Sequence, residues 1–79
     1  MKAKVYVALK PSILDPQGKT ITGALHALGY DAVREVRQGK YFELDIDAAS
    51  VDQARALARE MADRLLSNPV IESYRVEVG

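Results

Sequence analysis

Residues 32–47, AVREVRQGKYFELDID, decide the fold. Over the second half of this stretch the alternation is strict. Phe42, Leu44 and Ile46 form one apolar row, and Tyr41, Glu43, Asp45 and Asp47 form the opposite, polar row. Successive strand side chains point to opposite faces, so residues 40–47 read as a strand with one face buried. The first half is less regular. Val33 and Val36 stand three apart, and a period of two buries both only with a bulge or at an edge. With Gln38-Gly39 as the turn, the two halves read as a β-hairpin, residues 32–37 paired with 40–47. Gly39 is able to supply the positive φ that such turns favour.

Working outward, residues 2–10 alternate in the same way. Ala3, Val5, Val7 and Leu9 point to one side, Lys4, Tyr6, Ala8 and Lys10 to the other, and Pro11 ends the strand. Asp15-Pro16 opens a helix: the aspartate accepts first-turn amides, and proline suits the first helical position. Ile21, Ala24, Leu25 and Leu28 share one helical face, with Lys19, Thr22, Gly23 and His26 opposite. Gly29 closes this helix, with Tyr30 as a hydrophobic C-terminal contact. Gly18, Thr20, Thr22 and Gly23 lower its intrinsic propensity, so tertiary packing must hold it. Ser50 and Gln53 form a capping box at the start of a second, stronger helix. Its buried stripe is Val51, Ala54, Ala58, Met61, Ala62 and Leu65, with Leu57 at the flank and Leu66 off the stripe. Asn68-Pro69 stops it. Residues 70–78 alternate again, with Val70, Glu72, Tyr74, Val76 and Val78 on one side and Ile71, Ser73, Arg75 and Glu77 on the other.

The order strand, helix, strand, strand, helix, strand predicts one α+β domain over residues 1–79. Right-handed crossovers favour a ferredoxin-like βαββαβ arrangement, a four-stranded antiparallel sheet with both helices on one face. The bare face of that sheet would then display Lys4, Tyr6, Ala8, Lys10, Tyr41, Glu43, Asp45, Ile71, Ser73 and Arg75. Its mixture of aromatic, aliphatic and charged groups suits an interface between copies of the chain.

Composition narrows the function. Seventy-nine residues bury a modest core, and the chain has no cysteine for a disulfide and a single histidine, so a disulfide or zinc staple is not expected and association with other chains is the natural support. Eleven basic residues balance eleven acidic ones with signs interspersed, which argues against nucleic acid as the partner. No apolar run is long enough for a membrane span or a secretory leader. These features point to the cytoplasm. Candidate chemistry is thin. His26 lies on an outward helical face with no serine marked as its nucleophile. Glu43, Asp45 and Asp47 share a strand face, as solvated acidic residues often do. Gly39-Lys40 lacks the rest of a P-loop. No catalytic, metal or cofactor residue is therefore assigned, and the dense motifs at Asp15–Lys19 and Asn68–Glu72 read as structural punctuation. A stand-alone ligand-binding or regulatory dimer is the competing class.

Those motifs also carry a resemblance. Val5-Tyr6-Val7-Ala8-Leu9-Lys10, Leu14-Asp15-Pro16-Gln17-Gly18, Leu28-Gly29-Tyr30, Val36-Arg37-Gln38-Gly39-Lys40 and Leu65-Leu66-Ser67-Asn68-Pro69-Val70-Ile71-Glu72 follow one another as in the PurS family, the small subunit of phosphoribosylformylglycinamidine (FGAM) synthase. Ser67, where the family commonly has alanine, is a mild departure. The resemblance implies a noncatalytic subunit of an ATP-dependent, glutamine-dependent ligase of de novo purine synthesis. It implies a homodimer or tetramer that joins a PurQ-like glutaminase to a PurL-like synthetase and assists ammonia transfer. ATP and Mg2+ would be used by the complex and not held by this chain. Partner contacts are expected at Lys10, Lys19, Lys40, Glu72, Tyr6 and Tyr41. Asp15, Pro16, Gly18, Gly29, Gly39, Asn68 and Pro69 are expected to shape the chain.

Overall fold

A computed structural model describes all 79 residues. The chain forms β1 (Lys2–Leu9), α1 (Pro16–Ala27), β2 (Gly39–Asp45), α2 (Val51–Met61), a π-helical turn (Ala62–Leu66) and β3 (Glu72–Val78). β1 is central, with β2 and β3 antiparallel on either side. Val5 stands opposite Phe42 on one strand and Val76 on the other, and Val7 opposite Tyr74. The apolar rows of all three strands therefore share one face. α2 lies on that face against β1 and β3.

The core is small and tight. Ala3, Val5, Val7 and Ile46 are buried from the sheet side, and Ala58 and Ala62 from the helix side, with Ala54 also fully buried. Three alanines at i, i+4 and i+8 let the α2 backbone approach the valines of β1 closely. Ser50 caps α2 by accepting from the Gln53 amide at 3.1 Å, and the Gln53 side chain accepts from the Ala49 amide at 2.7 Å. The capping box thus forms with its return bond one residue earlier than the usual pattern.

The four-stranded sheet does not form. The sheet has three strands, and residues 32–37 pair with none of them. The cause is local. The residues that would begin a hairpin are bonded to α1. The His26 imidazole lies 2.6 Å from the Val33 carbonyl, Val36 donates its amide to Thr22 Oγ1 at 3.0 Å, and Gln38 donates its amide to Asp15 Oδ2 at 2.7 Å. Gln38-Gly39 is consequently no hairpin turn, and the only positive φ in the chain is at Gly29. Glycine is needed at position 39 for another reason: a Cβ there would stand 2.5 Å from the Val7 carbonyl oxygen across the β1–β2 pair.

Nor do both helices cover the sheet. α1 contributes nothing to the core, and Ile21 and Leu28 on its apolar face are 38% and 74% exposed. α1 and residues 30–38 instead form an arm projecting from the sheet. The Cα radius of gyration is 15.8 Å, against about 11.5 Å for a compact chain of this length. The arm closes at its far end as its sequence suggests. Gly29, at φ 97°, bonds its amide to the His26 carbonyl, and Tyr30 bonds to that of Leu25, a Schellman turn.

The end of α2 also departs from a regular period. Ser67 donates its amide to the Ala62 carbonyl five residues back, at 2.9 Å. This widened turn rotates the following side chains: Leu66 packs against the core, and Leu65 is left 83% exposed. Leu65 therefore leaves the expected buried stripe and Leu66 takes its place. Val51 and Met61 are likewise exposed, leaving the alanines as the buried members of the stripe.

Candidate functional site

Asp15 is the hub of the arm. Proline at position 16 starts α1, and the Asp15 side chain, 5% exposed, caps it by accepting the Gly18 amide at 2.9 Å through Oδ1. Its other oxygen holds Gln38, 23 residues away. One carboxylate thus fixes both the start of α1 and the entry to β2. Gly18 is part of the same joint, since a Cβ there would fall 2.1 Å from the Val36 carbonyl oxygen. Arg37 completes it by donating to the carbonyls of Lys10 (3.0 Å) and Ile13 (2.9 Å).

The Gln38 amide bond, then the Gly18 amide bond, hold the Asp15 carboxyl below its ordinary value of 3.8. A depressed folded-state pKa adds stability above the unfolded value, and that stability drains away as pH falls through the folded value. Denaturant midpoints measured from about pH 5 down to about pH 2 should therefore show an acid-side loss that is shallower in Asp15→Asn. Equal slopes for the two proteins would show that the carboxylate does not hold the joint.

A second constellation joins the other predicted residues. Lys40, at the start of β2, forms an ion pair with Glu72 at 3.3 Å and reaches the Leu66 carbonyl at 3.5 Å. Glu72 also accepts the Asn68 amide at 2.7 Å. Asn68 in turn accepts from Val70 through its side chain, and from Ile71 and Glu72 through its carbonyl. Asn68–Glu72 is therefore a self-bonded turn, with every peptide bond trans, that aims the chain from α2 into β3. The pair draws together β2, β3 and the end of α2.

The open face of the sheet carries the aromatic residues. Tyr6 stands opposite Tyr41 on one side and Arg75 on the other. The two rings are 5.1 Å apart at a 33° tilt, and the Arg75 guanidinium lies 4.3 Å from the centre of the Tyr6 ring. Glu77 accepts from the Tyr6 hydroxyl at 3.4 Å and pairs with Arg75. Tyr41 donates to Glu43 at 2.9 Å, and its pKa is pushed up to about 12, first by desolvation and then by that bond. Tyr41 thus stays a neutral donor across the ordinary pH range. Lys40, Ser73 and Arg75 border a shallow hollow over these rings. Sequence reading found Tyr6 and Tyr41; it placed Arg75 on this face without noticing that cross-strand register stacks it on Tyr6.

The remaining candidates stay apart. Lys10 continues the β1–β3 ladder through its amide to the Ile71 carbonyl at 2.8 Å, and Lys19 is exposed on α1. His26 spends its ring nitrogen on Val33. The acidic row is engaged piecemeal, Glu43 by Tyr41 and Asp45 by Lys2 at 3.6 Å. No three histidine, aspartate or glutamate side chains converge as metal ligands. No helix is long and apolar enough to cross a membrane.

These two joints coincide with the motif runs at Asp15–Gly18, Val36–Lys40 and Asn68–Glu72, and Tyr6 of the stacked face lies in the run Val5–Lys10. The PurS model, described as phosphoribosylformylglycinamidine (FGAM) synthase, matches residues 2–79. The chain belongs to the PurS family. The PurS subunit of phosphoribosylformylglycinamidine synthase from Bacillus subtilis (strain 168) is 52% identical over 77 residues, covering 98% of this chain and 90% of that relative. The solved structure of Bacillus subtilis PurS matches with a TM-score of 0.88 over 99% of this chain and 96% of that one, at 51% identity. A chain of the Thermotoga maritima PurLQS structure matches with a TM-score of 0.89 at 30% identity, covering 96% of this chain and 93% of that one.

Proposed function

We propose that this PurS-family chain serves as an assembly subunit of FGAM synthase, positioning a PurL-like synthetase and a PurQ-like glutaminase so that ammonia passes between them. Family membership across residues 2–79 carries the reading. The chemistry of the chain agrees with it. Without cysteine it cannot supply the thiol of a glutaminase, and its distinctive residues are spent on joints that set shape. The reaction joins formylglycinamide ribonucleotide, glutamine, ATP and water, giving formylglycinamidine ribonucleotide, glutamate, ADP and phosphate. ATP and Mg2+ are proposed to be used by the complex and held on the synthetase. The subunit's contribution is proximity: holding two centres in register lets ammonia meet its electrophile before it escapes to water.

The face bearing Tyr6, Tyr41 and Arg75 is the proposed contact with a larger subunit, because tyrosine and arginine dominate the energetics of interfaces. Lys10 and Lys40 are proposed at its margins, with Glu72 beside Lys40, and Lys19 is proposed as a separate contact on α1. The complex would work in the cytoplasm, with this chain as a homodimer or tetramer within it. Reconstitution tests the reading. Glutamine-dependent amidation should require all three proteins, and Tyr6→Glu should lower it at limiting subunit concentration. Full turnover from the two larger proteins alone would end the assembly hypothesis.

A further inference from the structure

Three small residues meet on the open face of the sheet. Register sets Gly39, Ala8 and Ser73 side by side across β2, β1 and β3, and all three are exposed. The next row along the strands is Tyr41, Tyr6 and Arg75. A row with nothing larger than a methyl or hydroxymethyl group thus runs beside a row of large side chains. At its other side the ladder continues with Lys10 and Ile71. The result is a trough crossing all three strands, part of a shallow hollow of about 450 Å³. Neighbouring strands stand about 4.8 Å apart and same-side residues about 6.8 Å, so the floor is roughly 10 Å long and one side chain wide. A single planar ring has that footprint.

The walls select the occupant. The Tyr6 hydroxyl donates to Glu77 and the Tyr41 hydroxyl to Glu43, acceptors one row farther from the trough. Both rings therefore lean away from the small residues and turn carbon edges toward them. Aromatic edges are electropositive, and they receive the face of another ring or a carboxylate. Charge is arranged to match. The carboxylates of this face, Glu43, Asp45 and Glu77, lie beyond the tyrosine row, whereas Lys40 and Arg75 line the hollow and no acidic residue does. Lys10, at the far margin, takes part in no ion pair within the chain. The trough thus suits an apolar ring that arrives with negative charge beside it. Pockets for free small molecules cover most of the ligand, and this one is too shallow to do so. A ring held in place by its own protein has no such need.

We propose that the Gly39–Ala8–Ser73 trough receives an aromatic side chain of a larger FGAM synthase subunit, with an aspartate or glutamate beside that ring meeting Lys10. The trough is then the central anchor of the contact, because a few inserted aromatic side chains carry most of the binding energy of an interface. Tyr41, Tyr6 and Arg75 form one rigid wall of the socket, already stacked before the partner arrives. The assignment rests on the proposed contact of this sheet face with a larger subunit, and it names what that subunit inserts.

Filling the trough tests it. Ala8→Phe and Ser73→Phe each place a ring on an exposed strand position, where aromatic residues suit the sheet, so thermal melts should stay near wild type. Titrated with the purified synthetase and glutaminase subunits, each variant should bind at least about tenfold more weakly than wild type, and so should Tyr6→Glu. Added salt should weaken binding of the wild type more than that of Lys10→Gln. With alanine methyl groups isotope-labelled in the wild-type chain, the Ala8 methyl resonance should move upfield in the complex, under the ring current of the inserted side chain. That measurement decides the matter even if a phenylalanine variant folds poorly. Weakening by Tyr6→Glu, with wild-type affinity in both phenylalanine variants, would keep the face as the contact and overturn the trough. Wild-type affinity in Tyr6→Glu as well would remove the contact reading itself. A changed mass of the chain alone in Ala8→Phe would make a second copy the occupant, and an Ala8 methyl that stays in place or moves downfield would rule out the ring; either result overturns the proposal.

Discussion

Gly18→Ala is expected to destabilise the protein, against the usual sign for glycine in a helix. Helix propensity alone would make alanine better by about 1 kcal/mol. Position 18, however, is where the arm closes. A Cβ would stand 2.1 Å from the Val36 carbonyl oxygen and 2.8 Å from Asp15 Oδ2, and the nearer neighbour is backbone. Segment 33–38 must retreat, and Asp15 must release Gln38 or the cap of α1. Overpacking of this kind costs about 3 kcal/mol at the upper end of the common range, leaving about 2 kcal/mol net. In a chain this short that lowers the melting temperature by roughly 8–16 °C. Gly23→Ala is the matched control. It lies in the same helix with nothing within 4 Å of the added carbon, so it should gain up to about 1 kcal/mol. Thermal melts of the pair should diverge in sign, and Gln38 amide exchange should quicken only in Gly18→Ala. Parallel shifts in the two variants would mean that the arm is not closed in solution.

That contrast bears on what the sequence could disclose. The strands β1, β2 and β3 were legible because each has one buried face, and burial writes a period of two into the residues. Both helix starts were legible because Asp15 and Ser50 act on amides three residues away. Segment 32–37 was misread because its partners are distant. Val33 and Val36 look like an imperfect strand, whereas the segment is held by Asp15, Thr22 and His26, residues that the local pattern had assigned to a cap and an outward helical face. The irregular spacing of Val33 and Val36 was the visible sign that no ordinary strand forms. Leu65 and Leu66 were exchanged for a similar reason. A widened turn adds a residue to the helical count, and nothing in the sequence of Ala62–Leu66 announces it. Among the candidate site residues, Lys40 and Glu72 were each foreseen as contacts, but their pairing required the fold to bring positions 32 apart in sequence to one place.

Ala58→Leu should be among the most damaging single changes. Ala54, Ala58 and Ala62 are each fully buried, and Ala58 packs in one cluster with Val5 and Val7 of the central strand. The alanine row sets how closely α2 approaches the sheet, so a longer side chain at its midpoint must push the helix away along its whole length. The propensities of alanine and leucine in a helix are nearly equal, which isolates packing as the cause. Interiors are filled to crystal-like density and relax little, so the expected cost is about 3 kcal/mol, or a melting temperature lower by roughly 12–24 °C. If Ala58→Leu melts within a few degrees of wild type, on the order of the ±0.5 kcal/mol seen for surface changes, the close approach of α2 to β1 is not what holds the core.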